Sequence, residues 1–349
     1  MTRYRDAGVD VGRADAVKRD VIRDATSTWT PAVRRLSGGF AGVMEWPGGA
    51  GGASSGSGAP LLLAATMDGV GTKLHLALAA NRVADASADL VYHGANDLLV
   101  HGARPLAMLD YVAQARLDPQ VVREVVRGLA AACREVGAVL LGGETAEMPD
   151  TYLDGVVDVA GCMIGWVDPK ALRDGSAVQP GDVVLGLAAD GLHTNGFSLA
   201  RRVLKDSGLA LDSPLPGGAG VSIGDALLAP HRWYGASLIP ELSESRVRAM
   251  AHITGGGIAG NLVRVLPAGC HAVISGAWPR PAVYRWLCEA GAIPDADALE
   301  AFNLGIGFIV IAAAGTEQAL TTDLESRGER VIGCGAVIAG ERGVTWSAG

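Results

Sequence analysis

Apolar and polar positions follow a recurring rhythm along this chain: a short apolar run, a glycine-rich loop, then a longer segment with one apolar face. Residues 61–66 read as a buried strand, and a helix starts at Lys73-Leu74. Residues 85–101 suit a helix and Pro105–Ala113 a strand. Pro119–Val136 carries strong helix signals: Asp118 as cap, Pro119 in the first turn, and Val121, Val122, Val125, Leu129 and Ala132 on one face. Ala138–Leu141 and Val156–Val167 follow as strands. From Val178 the rhythm starts again, with a strand over 183–189 and a loop and helix over 190–205. Ser222–Ser243 reads as helical, although Pro230 must bend or divide it. Helices are expected over Ile258–Leu266, Ala282–Ala290 and Glu317–Ser326, and strands over Leu304–Ala313 and Arg330–Ile338. Ala16–Ala25 has weak helical patterning, and residues 48–59, almost all Gly, Ala and Ser, read as a flexible surface loop. Two halves with one rhythm predict a pair of α+β domains, residues 1–168 and 169–349.

Composition narrows the class. At 349 residues the chain exceeds one comfortable hydrophobic core, and 49% hydrophobic with 19% charged residues suits a folded globular protein. A net charge of −8 without a basic cluster argues against nucleic acid as a partner. The five cysteines are scattered with no C-x-x-C pair, so neither a zinc site nor a disulfide framework is indicated. Met1–Asp6 lacks an apolar leader core and no uninterrupted 18-residue apolar span occurs, so a soluble cytoplasmic protein without membrane contact is expected.

Candidate chemistry begins with Asp68-Gly69-Val70-Gly71-Thr72-Lys73, between a strand and a helix. Asp68 can hold a divalent cation; Gly69 and Gly71 allow close backbone approach to an anion; Lys73, beside the Thr72 hydroxyl, can neutralise phosphate oxygens at a helix start. The run is neither a Walker A loop nor a dinucleotide fingerprint, so ATP would have to bind in another way. Asn96-Asp97 lies in an apolar helix and is either a solvated turn or, if buried, an acid compensated by a metal ion or Lys73. Gly142-Gly143-Glu144-Thr145-Ala146-Glu147 reads as a glycine turn presenting two acids to a hard cation. Asp190–Ser198 is either an N-capping loop or a site in which His193 works as acid and base while Asn195 and Ser198 meet phosphate or ribose. Thr254-Gly255-Gly256-Gly257 is either a plain loop or a phosphate nest. The other histidines, His75, His93, His101, His231 and His271, lack metal-ligand spacing and read as structural. No Gly-x-Ser-x-Gly elbow occurs and no cysteine has a base beside it in sequence, so phosphoryl transfer fits better than covalent catalysis.

In order along the chain, these motifs resemble phosphoribosylformylglycinamidine cyclo-ligase, the aminoimidazole ribonucleotide synthetase family. Asp6–Asp10, Gly38-Gly39-Phe40, Asp68–Lys73, Asn96-Asp97 with Gly102-Ala103 and Pro105, Leu109-Asp110-Tyr111, Gly142–Pro149, Asp158–Gly161, His193–Gly196, Leu228-Ala229-Pro230, Thr254–Gly257 and Phe302-Asn303 carry the likeness. The resemblance implies a homodimer in which N-terminal strands of both subunits share a barrel. It also implies ATP-dependent ring closure of formylglycinamidine ribonucleotide to aminoimidazole ribonucleotide, with ADP and phosphate as the other products. By the same resemblance, Asp68, Asp97 and Glu144 are the Mg²⁺ carboxylates. Gly69, Gly71, Thr72, Lys73 and Asn96 belong to the ATP site; His193, Lys73 and Asn195 to catalysis; and Ser198 and Thr254–Gly257 to the ribonucleotide. Departures from the family pattern are Leu192 before His193, Ile22 where relatives carry a lysine, and Ala107-Met108 in place of an aromatic pair. A catalytically silent nucleotide-binding paralogue, or another phosphotransferase of the same superfamily, is the competing reading.

Overall fold

The computed structural model describes residue 22 and residues 24–36, 39–46, 60–275 and 277–347. The Asp6–Asp10 run, most of the Ala16–Ala25 segment and the Gly/Ser-rich stretch 48–59 lie outside the described residues. Two six-stranded mixed sheets organise the chain. The first contains β1 (Val33–Arg34), β2 (Gly42–Glu45), β3 (Leu62–Gly69), β4 (Arg104–Gln114), β5 (Val139–Glu147) and β6 (Val157–Val167), in the order β1-β2-β3-β6-β4-β5. The second contains β7 (Val183–Ala188), β8 (Val247–His252), β9 (Cys270–Ile274), β10 (Ile306–Ala312), β11 (Val331–Ala339) and β12 (Gly343–Trp346), in the order β12-β9-β11-β7-β10-β8. Among the described residues only β4 with β5 and β9 with β12 pair in parallel.

Helices α1 (Lys73–Ala79), α2 (Val83–Val100) and α3 (Pro119–Val136) cover one face of the first sheet. α3 forms as its signals require: Asp118 accepts from the N–H groups of Gln120 and Val121, and Gly137 closes the helix in the left-handed region at φ 76°. In the second half come α4 (Phe197–Ser207), α5 (Gly257–Leu262), α6 (Ala282–Gly291), α7 (Asp295–Ala301) and α8 (Glu317–Ser326). The expected helix over Ser222–Ser243 is only two short turns, Ile223–Leu227 and Gly235–Leu238, and a 3₁₀ segment, Ile239–Ser243. Pro230 separates the first two, as its missing N–H and ring demand.

A second correction concerns Gly142–Glu147, expected as a turn. β5 runs straight through it, because its backbone pairs with Leu109–Gln114 of β4. Gly143 is needed there: a Cβ would lie 2.4 Å from the Asp110 carbonyl and carboxylate oxygens.

β6 alternates fully buried with half-buried residues, so each of its faces is distinct. Val157, Val159, Met163 and Val167 pack beneath the helices; Cys162, Ile164 and Trp166 point to the other side. There Met67, Cys162 and Leu109 form one row across three strands, with Met67 69% and Leu109 39% exposed. The two halves are not separate bodies of packing. One apolar cluster joins the first sheet and its helices to Phe197, Leu199, Tyr284 and Phe302, while Leu99 and Val100 of α2 belong to the core of the second sheet. Among the described residues no helix is long and apolar enough to cross a membrane.

Candidate active site

β3 ends in Asp68-Gly69, and the chain turns through Gly71, at φ 69°, into α1. The Asp68 carboxylate accepts from the Gly69 N–H at 2.7 Å and from His93 Nε2 at 2.8 Å, yet 47% of the side chain stays exposed. Burial alone would raise its pKa; the His93 hydrogen bond and charge, with the Gly69 N–H, outweigh that and hold the carboxyl below its ordinary value. His93 lies one turn before Asp97 on α2, 3.6 Å from its carboxylate, and its Nδ1 meets Thr194 Oγ at 2.7 Å. Burial works against the imidazolium, but the Asp97 and Asp68 charges prevail and lift its pKa to about 9. His93 is therefore a buried cation between two acids. Asp97 in turn accepts from His252 Nδ1 at 2.8 Å, across the junction of the two sheets.

Three helix starts meet beside this group. Thr72 Oγ, at the start of α1, is 3.2 Å from Ser198 Oγ in the first turn of α4. Asn195, just before α4, lies against the loop that opens α5: a Cβ on Gly255 would sit 3.4 Å from its Oδ1. That loop is shaped by Asn261, whose side-chain amide donates to the carbonyls of Thr254, Gly255 and Gly257. Gly256 and Gly257 adopt φ 91° and 62°, and a Cβ on Gly257 would lie 1.8 Å from the Leu299 carbonyl oxygen. Asp68, Thr72, Asn195, Ser198 and the 254–257 loop thus share one region with clustered helix N-termini, a setting suited to anions.

Other expected residues stand elsewhere. The expectation that Lys73 faces a phosphate is not met: its ammonium is 1% exposed, paired with Asp89, and donates to the carbonyls of His193 (3.0 Å) and Ala229 (3.3 Å). All three N–H donors are used internally. Asn96 is likewise enclosed. Its amide donates to the Arg232 carbonyl at 2.8 Å and its carbonyl accepts from the Tyr234 N–H at 3.2 Å, so it ties α2 to the 232–234 segment.

His193 does not face an open cleft. It takes a left-handed backbone conformation, φ 61°, and its ring stacks on His231 at 3.9 Å with both nitrogens buried and unpartnered. Burial holds it well below the usual imidazole pKa, so it is neutral and badly placed to exchange protons with a bound substrate. Gly307 makes room for this ring, since a Cβ there would lie 2.3 Å from His193 Cε1. Glu144 is exposed on the edge strand β5. The register runs Asp68–Gly161–Asp110–Gly143 across β3, β6, β4 and β5, which separates Glu144 from Asp68 by about 14 Å along the sheet. Of the three expected metal carboxylates, the chain brings Asp68 and Asp97 together around His93 and leaves Glu144 apart.

Asp89, His93 and His231 were not expected in this group. A signal existed on α2: Asp89, His93 and Asp97 recur every four residues within an apolar helix, so they share a face that must find polar partners. His231 carries no comparable local sign.

Comparison with known proteins agrees with this architecture. Residues 57–167 match the AIR synthase related protein N-terminal domain, and residues 179–347 match the AIR synthase related protein C-terminal domain. The chain is 43% identical over 343 residues to the phosphoribosylformylglycinamidine cyclo-ligase of Myxococcus xanthus, covering 97% of both. It is 42% identical over 341 residues to that of Anaeromyxobacter dehalogenans, covering 97% of this chain and 96% of the relative. Among solved structures, tt0281 from Thermus thermophilus superposes with a TM-score of 0.64 at 21% identity, over 93% of this chain and 94% of that one. A structure of hydrogenase maturation protein HypE in complex with ATP superposes with a TM-score of 0.57 at 20% identity, over 82% and 81%. At such identities the structural likeness speaks to the fold alone.

Proposed function

The chain belongs to the phosphoribosylformylglycinamidine cyclo-ligase family, and from that premise we propose how its residues carry the reaction. It cyclises formylglycinamidine ribonucleotide to aminoimidazole ribonucleotide at the expense of ATP. The formyl oxygen is a poor leaving group. Attack of that oxygen on the terminal phosphoryl group expels ADP and makes it a phosphate ester. A nitrogen of the same substrate then bonds to the formyl carbon, the C–O bond breaks, and phosphate departs as the nitrogen loses its proton. The nucleophile belongs to the substrate, so the protein contributes orientation and charge rather than a covalent residue.

The half-exposed, anionic Asp68 beside the Thr72–Ser198 contact is the observation that carries this assignment. Its oxygen donor suits Mg²⁺, a hard cation that keeps phosphate oxygens and water as further ligands; when bound, Mg²⁺ supplies neutralisation of phosphate charge. Asp97 contributes less directly, because its oxygens already serve His252, His93 and Thr66. The Thr72 and Ser198 hydroxyls, with Gly69 and Gly71, cradle phosphate, while Asn195 and the 254–257 loop receive the ribonucleotide. Lys73 and Asn96 act by fixing these loops, and His193 is not assigned a proton.

We further propose a homodimer built on the outer face of the first sheet. Met67 and Leu109 are exposed there beside Cys162, Ile164 and Trp166, an apolar surface that calls for a partner. A second copy laid on that face and on the edge strand β5 delivers Glu144 to the partner's Asp68 site, which reconciles its expected role with its distance inside one subunit. The test is ADP release by purified protein with and without formylglycinamidine ribonucleotide. Release that requires the ribonucleotide and vanishes in Asp68→Asn supports the assignment; absent or ribonucleotide-independent turnover overturns it.

A further inference from the structure

Four histidines from four separate elements gather behind Asp68: His93 on α2, His193 before α4, His231 after Pro230, and His252 at the end of β8. His93 is satisfied, with one nitrogen on Asp68 and the other on Thr194. His252 has a partner on each nitrogen, whereas His231 and His193 do not. His252 Nδ1 donates to Asp97, which leaves its Nε2 as a lone pair. His231 Nε2 lies 3.0 Å from that lone pair and donates to it, so His231 Nδ1 is left bare. Neither nitrogen of His193 has any partner. His193, His231 and His252 are 1%, 2% and 0% exposed, so bulk solvent does not reach them. Three orphaned ring nitrogens in one spot are unusual, since buried polar atoms nearly always find partners.

We propose that His193, His231 and His252 bind a transition-metal ion of the zinc class, distinct from the Mg²⁺ that serves the nucleotide. One ligand atom from each lies within 4.8 Å of the others. Two imidazole nitrogens at about 2.0–2.1 Å from a tetrahedral zinc stand about 3.3 Å apart, so the 3.0 Å between the His231 and His252 nitrogens must open by a few tenths of an ångström, and the His193 ring, stacked on His231 at 3.9 Å, must turn out of the stack to aim a nitrogen at the ion. Asp97 on the far nitrogen of His252 is the carboxylate–histidine–metal relay that fixes tautomer and ring orientation at such centres. A donor set of three imidazoles favours zinc, cobalt, nickel or copper and not magnesium, which takes oxygen. Among the described residues no fourth protein ligand stands in the group, so the remaining position goes to a water brought in with the ion. The ion acts as a clamp: it joins the loop carrying Asn195 and Ser198, the 229–234 segment and the end of β8, all anchored to α2.

Untagged wild-type protein, purified without chelators from zinc-supplemented medium, is analysed for metal by mass spectrometry, and a cobalt form is grown in cobalt-supplemented minimal medium. About one equivalent of metal per chain is expected, together with the intense visible ligand-field bands of tetrahedral cobalt bound by nitrogen. His231→Gln and His193→Gln are each expected to lose the metal and the bands. A wild type with less than about a tenth of an equivalent overturns the proposal, as does an equivalent retained in both variants. If the variants do not fold, the wild-type cobalt form decides: weak bands of an oxygen-ligated, six-coordinate ion overturn it.

Discussion

Replacing Lys73 by methionine separates two roles for one residue, a phosphate ligand and an internal tie. Methionine keeps the length of the stem and removes the ammonium. In the structure that ammonium is enclosed with Asp89 and holds the carbonyls of His193 and Ala229. Without it the Asp89 carboxylate stays buried with only the His231 N–H as partner, at 2.8 Å. Removing one member of a buried ion pair costs about 3–5 kcal/mol. The two abandoned carbonyls add to this, about 1–3 kcal/mol for each that remains unsatisfied. A loss of at least about 3 kcal/mol is therefore expected, read as a lower urea midpoint by tryptophan fluorescence.

The loss has a defined pH dependence. Burial pushes the Asp89 carboxyl above its ordinary pKa, and Lys73 opposes that rise. With Lys73 gone the folded-state pKa climbs further, so the folded form takes up a proton as the pH falls. The penalty shrinks towards acid and grows as pH rises through that raised value. A second change, Asp89→Leu, recovers only part of the stability, because the His231 N–H and both carbonyls remain unpaired. If Lys73→Met instead unfolds within about 1 kcal/mol of wild type while KM for ATP rises about tenfold, the internal-tie reading is wrong and the lysine faces phosphate.

Heterodimers of Asp68→Asn and Glu144→Gln chains, isolated through two different tags, are expected to recover about half of wild-type turnover, since one of two sites is then intact; no recovery above the inactive homodimers refutes the shared site. His93 has a folded pKa of about 9 against 6.5 unfolded, so its stabilisation is complete below pH 6.5 and fades as pH rises through 9; His93→Gln flattens the stability profile across that window, and an unchanged slope contradicts the buried imidazolium. Gly307→Ala places a methyl 2.2 Å from the Tyr234 hydroxyl and 2.3 Å from the His193 ring, and is expected to cost about 1–3 kcal/mol by denaturation; a neutral effect means that His193 does not occupy this cavity.

Much of this fold is written in local signals. Pro119–Val136 carries its cap, first-turn proline and apolar face in sequence, and the helix forms between those bounds. What fails to show locally is settled by pairing at long range. Gly142–Glu147 looks like a turn until β4 supplies hydrogen bonds along its length, and β8 and β9 are short strands recognisable only by the neighbours they join. The same limit governs the site. Asp68, Thr72 and Ser198 stand where a helix start makes their chemistry visible in sequence. Lys73 sits in the same motif, and nothing around it reveals that a carboxylate sixteen positions away will enclose it.

One helix explains why the sites were harder to read than the strands. Along α2, Asp89 takes Lys73 and the His231 N–H, His93 takes Asp68 and Thr194, Asn96 takes the backbone at Arg232 and Tyr234, and Asp97 takes His252. Just beyond its end, His101 pairs with the Phe40 N–H and the Arg173 carbonyl. Each is a polar residue inside an apolar segment whose partner comes from a distant element. A buried polar group without a partner is costly, so these bonds fix how the second sheet docks against the first. The exposed Asp68 and the helix starts around Thr72 and Ser198 are then held in place by side chains that never meet the substrate. Mutations along this face of α2 are expected to disturb turnover through docking, and to do so together with stability rather than independently of it.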